Sequence, residues 1–350
     1  MFTFYALFVL RDIFVPIAFS IIIAILLNPL VVRLRRAKVN KVVAIIIAIA
    51  LALAVVTGLI YFLSSQLMSF SEQLPELQRR FGILTAQLQH WIASTFSISV
   101  AKQTTMVRDA ASSSQELLGQ AAGSAISMVI NIVLIPVYVF VILFYKELFL
   151  SFIHQVFSRE TYKVEQVLGE TKLAIQSYMV GLLLEAMAVA TLNSIALLIL
   201  GVQYAILLGV IGAILNVLPY IGGIIAIALP VMISLVTKTG FSTPVYIVIA
   251  YSIIQFIDNN FFIPFLVSSR VQINAFFSIF IVLLGGALWG VSGMFLSIPF
   301  LAVIKIIFDH VPELKPWGKL LGDHIPTKKK TWRKPKQPSL SETIVKEAEQ

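Results

Sequence analysis

The sequence predicts an all-α, polytopic membrane protein with about seven or eight transmembrane helices, some broken by glycine or proline, and a small external helical subdomain. Hydrophobic residues make up 59% of the 350-residue chain and charged residues only 12%, whereas a water-soluble domain needs about a quarter charged. Apolar stretches of about 20 residues recur from Ile13 onward, each long enough as a helix to cross a bilayer core. Glycine and proline interrupt the later apolar stretches.

Residues 1–65 are predicted to form the N-terminal transmembrane helices. Their apolar stretches are Ile13–Val32 and Val42–Leu63, and the loop 33–41 lies between them. The basic residues of this loop are Arg33, Arg35, Arg36, Lys38 and Lys41, with no acid among them. Because cytoplasmic loops carry an excess of lysine and arginine, we expect this loop to be cytoplasmic.

Residues 66–120 are polar and lack the basic bias of a cytoplasmic segment. Apolar positions between Leu74 and Ile92 recur at steps of three and four, which predicts an amphipathic helix. We expect an external helical subdomain that packs against helical partners; capture of substrate is the alternative role. Residues 121–145 then cross the membrane, and residues 146–172 are expected to form a cytoplasmic amphipathic segment at the membrane surface.

Residues 173–310 are interpreted as a C-terminal transport core. Backbone broken inside a membrane is tolerated only where it is buried in protein or lines a cavity. Paired interrupted segments in corresponding halves of a chain point to a transporter site. The runs GGIIAIALP, at Gly222–Pro230, and GMFLSIP, at Gly293–Pro299, form such a pair. Their similarity is either an inverted repeat or chance.

The last apolar stretch, Phe276–Phe308, is too long for a single pass. As one helix it would extend about 50 Å, more than a bilayer needs. The run GGALWGVSG at its centre predicts a sharp turn between two passes. We expect a helical hairpin with its bend near Gly290, where a bulky side chain would block the approach of the two arms. The hairpin returns the chain to the cytoplasm, where we place the basic tail 311–350.

Helix breaks and hinges are predicted at the glycine and proline positions of this core and at one neighbouring tyrosine. They are Pro219, Tyr220, Gly222, Gly223, Pro230, Pro264, Gly285, Gly286, Gly290, Gly293 and Pro299. Small residues in membrane helices are more often close-packing positions than ligand contacts. They also permit the motion that a carrier needs.

Glu185 is the only acidic residue deep within a predicted spanning segment. An ionisable group at that depth is costly and indicates a functional site, such as a proton or cation relay. The equal alternative is a structural glutamic acid that is hydrogen-bonded to a partner helix.

Asp258, Asn259 and Asn260 offer a carboxylate and two amides at the end of a predicted helix. Oxygen ligands of this kind suit hard cations or polar substrates. The alternative is an ordinary loop that ends a helix. Asn216 and Gln255 are amides near the same helix breaks, and we expect them to line the same substrate or ion pathway.

Several classes of function are disfavoured by composition. The chain has no cysteine, which excludes disulfides, thiol catalysis and cysteine metal sites. Its four histidines lack metal-binding spacing, and no phosphate-binding loop occurs. We expect no enzymatic activity, no cofactor and no metal site. The net charge of +9 is concentrated in the first loop and the tail, which favours lipid head groups over nucleic acid.

The C-terminal motifs resemble those of the autoinducer-2 exporter family of bacterial permeases. They are NVLPYIGG from Asn216, DNNFFIP from Asp258, and the glycine-rich stretch from Ile273 to Val311 with the LKPWG–LLGD segment after it. The resemblance covers most of the chain. It implies a multi-pass homo-oligomer, such as a pentamer, in the bacterial inner membrane with a cytoplasmic C-terminus. It also implies export of a small furanosyl quorum-sensing signal, or sodium–proton exchange.

Three functions are therefore open at this point. The first is a secondary carrier that exports a small polar solute, coupled to a proton or sodium gradient. The second is a sodium–proton antiporter. The third is a non-transporting scaffold that binds partners through the external subdomain. Broken helices argue against a scaffold, because it gains nothing from unwound backbone in lipid.

Overall fold

The computed structural model describes residues 2–96, 133–217, 222–238, 240–267 and 273–323, with the single positions 99, 101 and 104. Throughout this part of the chain the secondary structure is helical, without a strand. Six of its helices are long and apolar enough to cross a bilayer, and two shorter apolar helices lie among them. The predicted all-α, polytopic class is confirmed.

Some of the predicted features lie outside the described residues. They are the hinge positions Pro219 and Tyr220, nearly all of residues 97–120 of the external subdomain, residues 121–132 of the predicted span 121–145, and the basic tail beyond residue 323.

The N-terminal helices are α1 (Phe2–Val9), α2 (Arg11–Arg36), α3 (Lys41–Phe96) and α4 (Val133–Val156). With 56 residues, α3 is about 84 Å long, nearly three times the thickness of a bilayer core. Only its first part, Lys41–Met68, has the composition of a membrane span. The predicted external segment therefore begins as an uninterrupted continuation of this span.

Helices α2, α3 and α4 pack around one apolar cluster. Its buried members are Ala24, Val31, Ala44, Ile45, Ala48, Val139 and Leu143. Three alanines in this set let the helix backbones approach closely, as is typical of membrane helices. Outside this cluster α3 presents an exposed apolar surface, including Val55 at 67% and Tyr61 at 76% exposure. A face of this kind is suited to lipid rather than to water.

The segment 146–172, predicted to be cytoplasmic and amphipathic, is divided between two helices. Helix α4 continues to Val156, a single 3₁₀ turn follows at Ser158–Glu160, and α5 begins at Thr161. The reason is local: neither glycine nor proline interrupts the chain between 146 and 156, so extending α4 is easier than nucleating a new helix. Near the start of this segment, Glu147 accepts a 2.8 Å hydrogen bond from Lys41 of the basic loop.

The core helices are α5 (Thr161–Ile199), α6 (Ala205–Asn216), α7 (Gly222–Thr237) and α8 (Ser242–Ile257). With 12 residues, α6 is about 18 Å long and is too short to cross a bilayer core of about 30 Å. It is sheltered instead against α5, where a Cβ at Gly209 would collide with the backbone of Ser194. Such short, buried helices are the broken elements that the sequence predicts.

Helix α8 continues directly into a wider π-helix at Asp258–Val267. The run DNNFFIP is therefore part of a continuous helical segment and not a loop. Wide turns of this type are rare and are frequently found at functional sites.

Helix α9 (Ala275–His310) contains a chain reversal at Trp289 and Gly290, where the sequence predicts the bend. Ser297 Oγ lies 2.9 Å from the carbonyl oxygen of Ile281, to which it donates a hydrogen bond. Along one straight helix, 16 residues would separate these groups by about 24 Å. The two arms of α9 are therefore antiparallel. A short 3₁₀ turn, Pro312–Leu314, and α10, Lys315–Leu321, follow them.

The reason for the glycine at position 290 differs from the expected one. A Cβ there would meet nothing within 4 Å, so a side chain would not block the arms. The backbone instead has φ 61° and ψ −143°, which only glycine adopts readily. The two arms approach closely at Gly285 and Gly293, because a Cβ on either residue would collide with the backbone of the other.

Candidate functional site

The carboxylate of Asp258 is the centre of a buried polar cluster. The residue is 1% exposed, and its Oδ2 accepts hydrogen bonds from Asn216 Nδ2 at 2.9 Å and Gln255 Nε2 at 3.3 Å. Asn216 is the last residue of α6, whereas Gln255 lies in the last turn of α8. Three residues that the sequence selected as pathway candidates are therefore in direct contact.

Three buried oxygens around the same small cavity make no hydrogen bond within the described part of the chain. They are Asp258 Oδ1, Asn193 Oδ1 and the hydroxyl of Tyr251. The cavity has a volume of about 10 Å³, which is enough for one water molecule or one small ion. Buried polar atoms without hydrogen bonds are costly, and such groups indicate a function or a bound species.

Helical spacing explains why these side chains converge. Residues three and four positions apart share a helix face. On α5, Glu185 and Asn193 are separated by two steps of four. On α8 and its extension, Tyr251, Gln255 and Asp258 follow steps of four and three. The two faces pack against each other and against α6, and so bring their polar groups together.

Glu185 lies beside this cluster. It is buried, with 6% exposure, and its carboxyl group interacts electrostatically with that of Asp258. Two buried carboxylates repel each other, and a bound proton or cation offsets that cost. The two acidic residues that the sequence selected are thus neighbours in the fold.

Glycines allow the helices to approach around the cluster. A Cβ at Gly223 would lie 2.8 Å from Gln255 Oε1, and one at Gly222 would collide with the backbone of Leu215. Gly181, which the sequence analysis did not select, has the same role on α5, where a Cβ would collide with the backbone of Leu266. Gly222 and Gly181 are therefore positions of close backbone packing, whereas Gly223 lines the small cavity beside Gln255.

Asn259 and Asn260 do not line the cavity, and both are exposed. Asn259 Oδ1 accepts a 3.3 Å hydrogen bond from Gln255. Asn260 Nδ2 donates to the carbonyl of Phe256 on its own helix, at 2.8 Å. Only the first residue of the DNN run is therefore part of the buried cluster.

The remaining hinge candidates lie away from the cavity. Pro230 is buried within α7, whereas Pro264 is exposed in the π-helix. In the hairpin, a Cβ at Gly286 would meet the side chain of Met294, and Pro299 is buried in the second arm. The paired motifs do share one property: Gly222 and Gly293 each lie against the backbone of the helical arm that precedes them.

The sequence analysis missed Asn193 and Tyr251. Both line the cavity, and both have relative exposures below 5%. The signal was present, because each occupies the same helix face as a candidate that was selected. Helical spacing from Glu185 to Asn193, and from Tyr251 to Gln255 and Asp258, is the signal that identifies them.

A polytopic helical protein with a buried carboxylate–amide cluster beside short, broken helices has the construction of a membrane transporter. The chain belongs to the AI-2E family of transporters, whose family model matches residues 1–313. The family that the sequence motifs suggested is thereby confirmed.

Curated relatives carry names of the same class. The chain is similar to "Putative transport protein YueF" of Bacillus subtilis, with 25% identity over 87% of this chain and 86% of the relative. A "Putative transport protein" of Haemophilus influenzae is 24% identical over 89% and 90% of the two chains. "Putative permease PerM" of Escherichia coli K12 is 28% identical over 54% and 53%.

Proposed function

We propose that this protein is a secondary carrier that exports a small polar solute, of the autoinducer-2 type, and couples export to a proton or sodium gradient. The observation that carries the proposal is the buried cluster around Asp258. A carboxylate at that depth is expensive, and membrane proteins retain such groups on ion or substrate pathways. A protein that only anchors partners in the membrane has no use for it.

The donor set of the cluster suits a coupling ion. Asp258, Asn193 and Tyr251 line a space the size of one water molecule or small ion, and each has a buried oxygen without a hydrogen bond to the described residues. Carboxylate and amide oxygens are the ligands of hard cations, and a carboxylate alone is sufficient to take up a proton. Either species offsets the repulsion between Asp258 and Glu185.

The same geometry supports movement during transport. A cavity of about 10 Å³ admits an ion or a water molecule but not a solute. Solute passage therefore requires α6 and α7 to shift relative to α5 and α8. Broken helices and glycine contacts allow such shifts, and alternating access in carriers works by rocking of packed helical units.

We also propose the orientation and assembly that accompany this function. The protein lies in the bacterial inner membrane, with the basic loop and the C-terminus in the cytoplasm, and it forms a homo-oligomer such as a pentamer. The excess of basic residues in the loop 33–41 supports the orientation. Family resemblance supports the assembly.

A sodium–proton antiporter is the second candidate. The pairing of Glu185 with Asp258 favours it, because two neighbouring carboxyl groups allow a cation and a proton to compete for one site. In this case no organic solute crosses the membrane.

Flux through the purified protein in liposomes separates these functions. A carrier for solutes moves a labelled polar solute, and its rate responds to an imposed pH or sodium gradient. An antiporter instead changes the signal of an enclosed pH dye when sodium is added, without solute. Absence of both fluxes in correctly inserted protein would favour the scaffold.

A further inference from the structure

A second and much larger cavity lies between α2, α4 and α5. Its volume is about 380 Å³, within the range of small-molecule binding sites. None of its residues belongs to the Asp258 cluster. Its walls are largely aliphatic, formed by Ala24, Ile25, Ile142, Leu143, Leu150 and Leu168.

The polar residues of this cavity are Asn28, Thr171 and two lysines. Lys146 is half-buried, and its Nζ donates a 3.2 Å hydrogen bond to Asn28 Oδ1. Lys172 is exposed and interacts electrostatically with Lys146. Among the described residues, neither lysine forms an ion pair with a carboxylate. The nearby acid, Glu147, is already paired with two other basic residues of the protein.

The cavity therefore combines two cationic side chains that form no ion pair among the described residues with an apolar wall. A half-buried ammonium group without an acidic partner is costly, and an anion offsets that cost. Lysine is a common phosphate-binding residue. A ligand complementary to both parts has an anionic head and a hydrocarbon tail.

The position of the cavity relative to the membrane surface indicates which molecule supplies such a ligand. Asn28 precedes the basic loop, which begins at Arg33, by about 8 Å along α2. The two lysines thus lie near the membrane surface that carries this loop, at the level of lipid head groups. Basic pockets between transmembrane helices at this level bind anionic lipid head groups.

We propose that this cavity is a binding site for an anionic phospholipid. The phosphate lies between Lys146 and Lys172, and part of one acyl chain lies along the aliphatic wall toward Ile25 and Ile142. The transported solute of the proposed function is a poor match for this cavity, because a small polar molecule would make no apolar contacts with the aliphatic wall. The lipid site does not depend on that function.

Lipid retention by the purified protein tests this proposal. Full-length protein in mixed phosphatidylglycerol and phosphatidylethanolamine is extracted gently, and its bound lipid is measured by native mass spectrometry. The wild type should retain phosphatidylglycerol preferentially. The double variant Lys146→Gln/Lys172→Gln should lose that preference by about tenfold, whereas the control Lys315→Gln, an exposed lysine on α10, should keep it.

A second variant removes the space and keeps the charge. Gly169 lines the cavity, and a Cβ there would meet nothing within 4 Å. Gly169→Leu should therefore fold normally, and its side chain should fill part of the cavity and reduce retention of phosphatidylglycerol. Leucine has a higher helix propensity than glycine, and an unchanged melting temperature in detergent would show that a loss of binding does not reflect unfolding.

Three results would overturn the proposal. One is equal retention of the two lipids by the wild type. Another is full retention of phosphatidylglycerol by both the double-lysine variant and Gly169→Leu. The third is displacement of the lipid by millimolar inorganic phosphate, which would show that the site recognises free phosphate rather than a membrane lipid.

Discussion

The amide of Asn216 donates a 2.9 Å hydrogen bond to the carboxylate of Asp258 across 42 residues of the chain. The bond joins the end of the short helix α6 to the wide-turn extension of α8. It occupies one carboxylate oxygen, Oδ2, whereas the other, Oδ1, is buried without a hydrogen bond to the described residues; Asp258 also lines the small cavity. A movement of α6 would therefore change the environment of the carboxylate directly, which is how ion binding and helix motion can be coupled.

Replacement of Glu185 with glutamine tests its role in coupling. If protons drive the carrier, Glu185→Gln should remove the pH dependence of solute flux, because the side chain then stays neutral at every pH. The measurement is solute flux in liposomes between about pH 5.5 and 8.5, a window around neutral pH in which a buried carboxyl group can titrate. Glu165→Gln, an exposed residue on the same helix, is the control. An unaltered pH profile in Glu185→Gln would assign Glu185 a structural role.

Removal of the Tyr251 hydroxyl separates function from stability. This buried group makes no hydrogen bond to the described residues, so Tyr251→Phe should leave the melting temperature unchanged or slightly higher. Transport should nevertheless weaken, with a coupling-ion concentration for half-maximal flux several-fold higher than in wild type.

Ser252→Ala is a matched control on the next position of α8, where the hydroxyl donates to the carbonyl of Val248 on its own helix and is exposed. Equal flux in Tyr251→Phe and wild type would remove this hydroxyl from the proposed ion site.

The sequence predicts features that depend on neighbouring residues better than contacts between helices that are distant along the chain. The bend at Gly290 is local, since a glycine-rich run within an overlong apolar stretch indicates it directly. The meeting of Asp258 with Asn193 depends on how α5 packs against α8, and no single segment contains that information. Asn260 is close to Asp258 in sequence, which suggested a shared role. It does not line the cavity, because its amide instead donates to the carbonyl of Phe256 on its own helix.

Substitution at Gly290 tests the origin of the hairpin bend. Because the backbone has φ 61° and ψ −143°, Gly290→Ala should destabilise the protein by about 1–3 kcal/mol. Thermal unfolding in detergent measures this change. Gly58→Ala in α3, where a Cβ meets nothing within 4 Å and no positive φ occurs, should be neutral or stabilising. Equal stability of Gly290→Ala and wild type would show that the bend does not depend on glycine.

Cysteine labelling tests the proposed orientation without interference, because the chain has no cysteine. Arg36→Cys, in the basic loop, should be labelled by an impermeant maleimide only after the cells are opened. Thr95→Cys, near the far end of α3, should be labelled in intact cells. Both positions are exposed, so accessibility depends on the side of the membrane alone. The reverse labelling pattern would invert the topology.

The most direct test of the central claim is solute flux through Asp258→Asn in liposomes under an imposed pH or sodium gradient. The variant keeps the size of the side chain and removes its charge. If Asp258 holds the coupling ion, the gradient-driven rate should fall by about tenfold or more, as is typical when a charged hydrogen-bonding group is lost. Asn260→Ala, at an exposed position on the same π-helix, should transport as wild type does. Gradient-driven flux through Asp258→Asn equal to that of wild type, at equal insertion, would contradict the account.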